Sequence, residues 1–146
     1  MRDSNQYLRF SLSGAYYLIS GAVNVAIDQR DNLEINNTGT GHVCAWRSHD
    51  GTRWPAYCLD QDFKVAQRDD WQRAMFFEAQ PTPVGLIADH VQLLPDGEAQ
   101  IIPFRPLGPP VTAAGHLFSG AWVRGSQAIL VFDPKVLATF LHNLGG

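Results

Sequence analysis

His42, Cys44, His49 and Cys58 fall on one short stretch of the chain, and all four are residue types that ligate zinc. His-x-Cys on a strand would put both side chains on one face. Structural zinc sites, however, hold their ligands in tight pairs such as Cys-x-x-Cys or His-x-x-x-His, and this stretch has neither. The simpler reading is two small buried thiols beside ordinary surface histidines, with a metal or ligand site as the alternative. Ser, His and Asp are all present, yet no Gly-x-Ser-x-Gly elbow and no Gly-rich phosphate loop occurs. Asp89-His90 could be drawn as an acid–base pair, but neighbours on a strand point to opposite faces and cannot orient one another. Ser13-Gly14 and Gly39-Thr40-Gly41 are better explained as turns. No catalytic residue, resident metal or cofactor is therefore expected.

The elements that position these residues centre on a hairpin. Val43–Ser48 and Thr52–Leu59 read as antiparallel strands joined at Asp50-Gly51, a pair that tolerates the positive φ of a type I′ turn. Its tip, Trp46-Arg47-Ser48-His49-Asp50-Gly51, mixes aromatic and charged residues. Trp and Arg are the residues that most often anchor protein interfaces, whereas Trp54 and Tyr57 on the return strand read as core.

The whole chain fits one domain of 146 residues, 45% hydrophobic, with a mean hydropathy of -0.13. A net charge of -3 and no Lys/Arg run provide no field for nucleic acid or an anionic membrane. No apolar run approaches the roughly 20 residues of a membrane span, and the polar Met1–Gln6 stretch does not resemble a secretory signal. A cytoplasmic protein with no membrane insertion is expected. Asn36-Asn37-Thr38 matches a glycosylation sequon but reads as a turn.

In order, Tyr7–Leu12 and Ala15–Ile19 read as strands about Ser13-Gly14, Ser20–Asn32 is ambiguous between strand and helical turn, and Leu33–Ile35 is a short strand. Asp60–Phe63 reads as one helical turn and Lys64–Gln72 as an exposed loop. Ala74–Ala79 is a buried strand. Val84–Ala88 reads as a strand running on into Asp89–Leu94, followed by a turn at Pro95-Asp96-Gly97. Gln100–Phe104 is a strand, and the proline-rich 103–115 segment a covering loop. Leu117–Arg124 and Gln127–Phe132 form a second hairpin around Gly125-Ser126, suited to type II′. Asp133 as N-cap, Pro134 at the first helical position and Val136, Leu137, Phe140, Leu141 and Leu144 at helical spacing predict a terminal helix. Many short strands and one helix make the fold all-β, a sandwich or barrel.

Taken in this order, the chain resembles the CheW-like domain, the adaptor module of bacterial chemosensory arrays. Gln6–Leu12 followed by Tyr16-Tyr17 is similar to the family's opening strand pair, and Trp54-Pro55-Ala56-Tyr57-Cys58-Leu59-Asp60 to its strand of Pro, hydrophobic run and Asp. Val84-Gly85-Leu86-Ile87-Ala88-Asp89-His90-Val91 is similar to its Val-Gly-hydrophobic-Asp-x-Val segment. Phe118–Gly125 and Ala128–Leu137 resemble its last hairpin and helix. The resemblance implies two small five-stranded, SH3-like β-barrels packed together with a C-terminal helix, and no catalysis. It implies as partners a chemoreceptor's cytoplasmic tip, the regulatory domain of a CheA-type histidine kinase, or other CheW-like domains. The residues it marks for protein contact are Trp46, Arg47, His49, Asp50 and Gly51 at the hairpin tip, with Asp89 and Val91. The tip is longer and more polar than the family's Asn-Leu-Arg-Gly-like sequence, and Asn36–Gly41 replaces the proline-bearing loop before it. Both departures suit a specialised system, such as one serving pili. The alternative is a diverged β-barrel that kept the fold and binds a ligand or metal through Cys44, Cys58, His42 and His49.

Overall fold

The computed structural model describes residues 6–20, 25–38, 40–79, 82–95, 97–105 and 116–145. Its strands are β1 (Tyr7–Leu12), β2 (Ala15–Ser20), β3 (Val25–Gln29), β4 (Glu34–Ile35), β5 (Ala45–His49), β6 (Thr52–Tyr57), β7 (Arg73–Phe77), β8 (Val84–Ile87), β9 (Asp89–Leu93), β10 (Ile101–Pro103), β11 (Phe118–Arg124) and β12 (Gln127–Phe132). A 3-10 turn spans Arg30–Asn32, and the helix α1 spans Pro134–Gly145.

Two curled six-stranded sheets result, in the orders β10-β11-β12-β2-β1-β9 and β3-β7-β8-β6-β5-β4. The second is contiguous in sequence; the first is assembled from two chain segments on either side of it. They are called here the contiguous and the split barrel. Each contains one parallel pair, β6 with β8 and β2 with β12, among otherwise antiparallel partners. The expected five strands per barrel become six because the two-residue β4 and the three-residue β10 add to the sheet edges.

Period-two alternation divides each strand between two cores. In β1, Leu8, Phe10 and Leu12 join a large cluster shared with Tyr57, Met75, Phe77, Val84 and Leu86 of the other sheet and with Leu137 and Leu141 of α1. This cluster lies between the barrels. The alternate residues fill each barrel: Leu18, Trp122, Ile129 and Val131 in the split one, and Ala45, Ala56, Cys58, Trp71, Ala74, Phe76 and Ile87 in the contiguous one.

The turns follow their sequences. Asp50 and Gly51 both have positive φ, 49° and 81°, and His49 pairs with Thr52 as a two-residue type I′ turn requires. At Gly125-Ser126 only Gly125 is positive, at 60°, which fits type II′. The Asn36 side-chain carbonyl accepts from the Thr38 amide at 3.0 Å, so the sequon is an Asx turn. Asp133 Oδ1 accepts from the amides of Lys135 and Val136 at 3.0 and 3.2 Å and caps α1. Close approach explains Gly85: a Cβ there would lie 2.6 Å from the Phe76 ring and 3.0 Å from Ala56 Cβ.

Three expectations are corrected. Lys64–Gln72 is not simply exposed, because Trp71 is only 1% accessible and fills the contiguous barrel, its ring covered by Arg30 at 4.7 Å. Asp60–Phe63 is not helical: Asp60 Oδ1 accepts from the amides of Asp62 and Lys64, and Phe63 takes a φ of 62° that turns its ring into the inter-barrel core. Val84–Leu94 is not one strand: the chain changes sheet at Ala88, and β9 pairs with β1 through a bulge at which His90 has a φ of 51°. The ambiguous stretch resolves into β3 and the 3-10 turn, with residues 21–24 outside the described residues. Most of the 103–115 loop, residues 106–115, also lies outside them.

α1 follows β12 of the split barrel but reaches across to the contiguous one. His42 Nδ1 donates to the Leu144 carbonyl at 2.7 Å, and His142 Nε2 to the Thr82 carbonyl at 2.8 Å.

Candidate functional site

The β5–β6 hairpin presents two different faces. On the face that continues the barrel interior, Arg47 pairs across the strands with Trp54. Its Nε lies 3.2 Å from Asp28 Oδ2 of β3, and its guanidinium sits 5.0 Å from the Trp54 ring and 6.0 Å from that of Phe76. The His49 ring lies against Trp54, tilted by 36° with the centroids 4.8 Å apart. Arg47 thus closes one mouth of the contiguous barrel, held by a carboxylate and two aromatic rings. Alongside it is an open depression of about 240 Å³ lined by Val25, Trp54, Phe76 and Pro83.

On the opposite face the Arg53 guanidinium covers the Trp46 ring at 3.9 Å, with its Nη2 2.9 Å from Glu34 Oε2. Each cation is fixed by a ring beneath and an acid beside it, an arrangement that holds a surface arginine in one rotamer. The tip itself projects: the Asp50 side chain is 91% exposed, and its Oδ2 lies 3.3 Å from His49 Nε2.

Asp89 and Val91 lie elsewhere, on β9 of the split barrel. Asp89 Oδ2 accepts from Arg68 Nη1 at 3.0 Å, while Arg68 Nε donates to Asp70 Oδ1 at 2.9 Å. The two carboxylates raise the Arg68 pKa, and the Arg68 guanidinium in turn lowers that of Asp70. Val91 packs against the inter-barrel core. The seven sequence-marked residues therefore form two groups: the tip, with Trp46 on one face and Arg47 and His49 on the other, and the β9 pair. Sequence reading missed Asp28, Arg53 and Glu34, which immobilise the tip. Their only signal was charge, on strands whose pairing had to be known first.

The four residues of the metal alternative do not converge on one point. His42 is spent on α1, His49 on Trp54 and Asp50, and Cys58 is buried at 1%. Cys44 is half-buried against the core of the contiguous barrel. Burial raises both thiol pKa values, Cys58 to about 11 with a further contribution from Cys44, and both thiols are free. Among the described residues no three His, Cys, Asp or Glu side chains converge as a metal would require. Also among them, no helix is long and apolar enough to cross a membrane.

Two curled β-sheets flanking a shared core, with one terminal helix packed across them, define the paired SH3-like barrel architecture of a CheW-like domain, and this chain carries that fold. Among solved structures it is similar to "scaffolding protein TtCheW from Thermoanaerobacter tengcongensis", at 21% identity and a TM-score of 0.63, over 92% of each chain. No protein-family model and no curated protein sequence matches the chain.

Proposed function

We propose that this chain is a non-catalytic adaptor of a bacterial chemosensory system, in the cytoplasm, joining a chemoreceptor tip to the regulatory domain of a CheA-type histidine kinase or to other CheW-like domains. The observation that carries the reading is the likeness in fold to a scaffolding protein, which extends over 92% of each chain. An adaptor needs rigid, separate surfaces rather than a reactive pocket, and weak contacts at each gain strength when several engage at once. The stacked hairpin tip, with Trp46, Arg47, His49, Asp50 and Gly51, and the β9 edge, with Asp89 and Val91, are two such surfaces. Their distance in the fold suits two partners. The altered tip suits a specialised array, such as one controlling pili.

The test is co-purification of the chain with the cognate kinase's regulatory domain and with receptor-tip fragments. Retention of at least one is expected, weakened at least about tenfold by Trp46→Ala, since aromatic anchors of interfaces commonly carry 2 kcal/mol or more. Failure to retain either fragment removes the reading.

A further inference from the structure

We infer that the open end of the split barrel is a docking site for a carboxylate-bearing segment of a partner protein. Its inward-facing row runs Arg9, Tyr16, Ile129, Trp122 and Arg124, because Arg9 and Tyr16 lie on the same face of β1 and β2, β2 lies parallel to β12, and Ile129 pairs with Trp122. The Arg9 guanidinium lies over the Tyr16 ring at 4.2 Å, and that of Arg124 over Trp122 at 4.7 Å. Arg9, Tyr16, Gln127 and Ile129 line a depression of about 460 Å³ with no acidic residue in its lining among the described residues.

The contrast is with the other ring-stacked arginines, Arg30, Arg47 and Arg53, each of which holds an oxygen acceptor. Arg47, Arg53 and Arg68 each hold a carboxylate. Arg9 and Arg124 hold none among the described residues, and Arg9 Nε is shielded from water without a hydrogen-bond acceptor. Two guanidiniums at the ends of an aromatic floor, both oriented by stacking, are preorganised for bidentate carboxylates and lose little rotamer freedom on binding. The net charge of -3 opposes unspecific capture of an acidic chain, so any such binding reports this local site. This surface lies on a different barrel from the hairpin tip, and the inference does not depend on the chemosensory reading.

The probe is a fluorescently labelled hexaglutamate peptide, followed by anisotropy against the intact chain at low salt, with hexaglutamine and inorganic phosphate as comparison ligands. Saturable hexaglutamate binding is expected, with hexaglutamine at least about tenfold weaker. Arg124→Gln and Arg9→Gln should each weaken it about tenfold, the loss of one charge-assisted pair. Arg105→Gln, at the opposite end of β11, should leave it unchanged. Arg124 is exposed, so its variant decides the question if Arg9→Gln fails to fold. No saturable binding, or equal binding by the Arg9→Gln/Arg124→Gln double variant, overturns the inference. Phosphate bound as tightly as the peptide also overturns it, in favour of a free-anion site.

Discussion

Phe132 ties the two barrels together, and its truncation should show how far they unfold as one unit. The side chain, at the end of β12, is 1% accessible. Its ring centroid lies 4.9 Å from Phe118, 5.0 Å from Tyr17, and 6.0 Å from both Phe10 and Phe63. Phe10, Tyr17 and Phe118 belong to the split barrel, whereas Phe63 comes from the loop that leaves the contiguous one. Phe132→Ala removes a full ring from a site whose neighbours are large and mutually stacked, and so cannot collapse into the space. The expected loss is about 3–5 kcal/mol, the range for deep Phe→Ala changes, from a total of about 5–15 kcal/mol. At roughly 2–4 °C per kcal/mol for a domain of this size, the melting temperature should fall by about 6–20 °C. Phe132→Leu, which keeps most of the volume, should cost roughly 1–2 kcal/mol. Urea titration gives the free energies, and hydrogen exchange resolved by peptide shows whether β7 and β11 lose protection together. A loss below about 1.5 kcal/mol would refute the assignment of this ring to the shared core. So would a variant in which β11 exchanges freely while β7 keeps its native protection.

Three further outcomes follow from packing and charge. Gly85→Ala must push a methyl into the Phe76 ring and Ala56, so the urea midpoint should drop by an amount equivalent to about 1–3 kcal/mol; an unchanged midpoint would mean the strands can separate at no cost. With the Cys58 pKa at about 11 and that of Cys44 also raised, both thiols should react with a disulfide reagent at pH 8 far more slowly in the native chain than in guanidinium, and equal rates would contradict their burial. Asp70 has its pKa lowered from the ordinary 3.8 by Arg68, so the unfolded chain binds this proton more readily than the native one. The resulting stability is present above 3.8 and is lost as pH falls through the lower native value. In Arg68→Ala an NMR titration should return Asp70 towards 3.8, and no movement would remove Arg68 as the cause.

Local signals carried much of the fold. Asp50-Gly51 and Gly125-Ser126 specify their turns by backbone geometry alone, and Asp133-Pro134 specifies the start of α1, because each acts on its immediate neighbours. What failed was nonlocal. Val84 to Leu93 is one apolar-rich run, and nothing within it marks the change of sheet at Ala88; that depends on β6 and β1 offering separate partners. Trp71 sits among charged residues and was hidden by them, although its own bulk is what the contiguous barrel is packed around. For the hairpin tip, alternation put Arg47 and Trp54 on one face and Trp46 and Arg53 on the other. Which of those faces points into a barrel could only be settled by the curl of the sheet. Asp28, lying on β3, was accordingly beyond reach until the strand order was known.

The order in which the strands pair has a consequence for the birth of the protein. β3 to β8 follow one another without interruption, so the contiguous barrel has all its strands once residue 87 has left the ribosome. The split barrel must wait, since β2 finds its parallel partner only when β12 is made, some hundred residues later. Until then the free edge of β2 lacks its partner in the sheet, although β1 can already take β9. Closing so long a loop is slow compared with local pairing. In the finished fold the face of the contiguous barrel carrying Tyr57, Met75, Phe77 and Leu86 is the one that Leu8, Phe10 and Leu12 pack against, so that surface is complete before the split barrel can close.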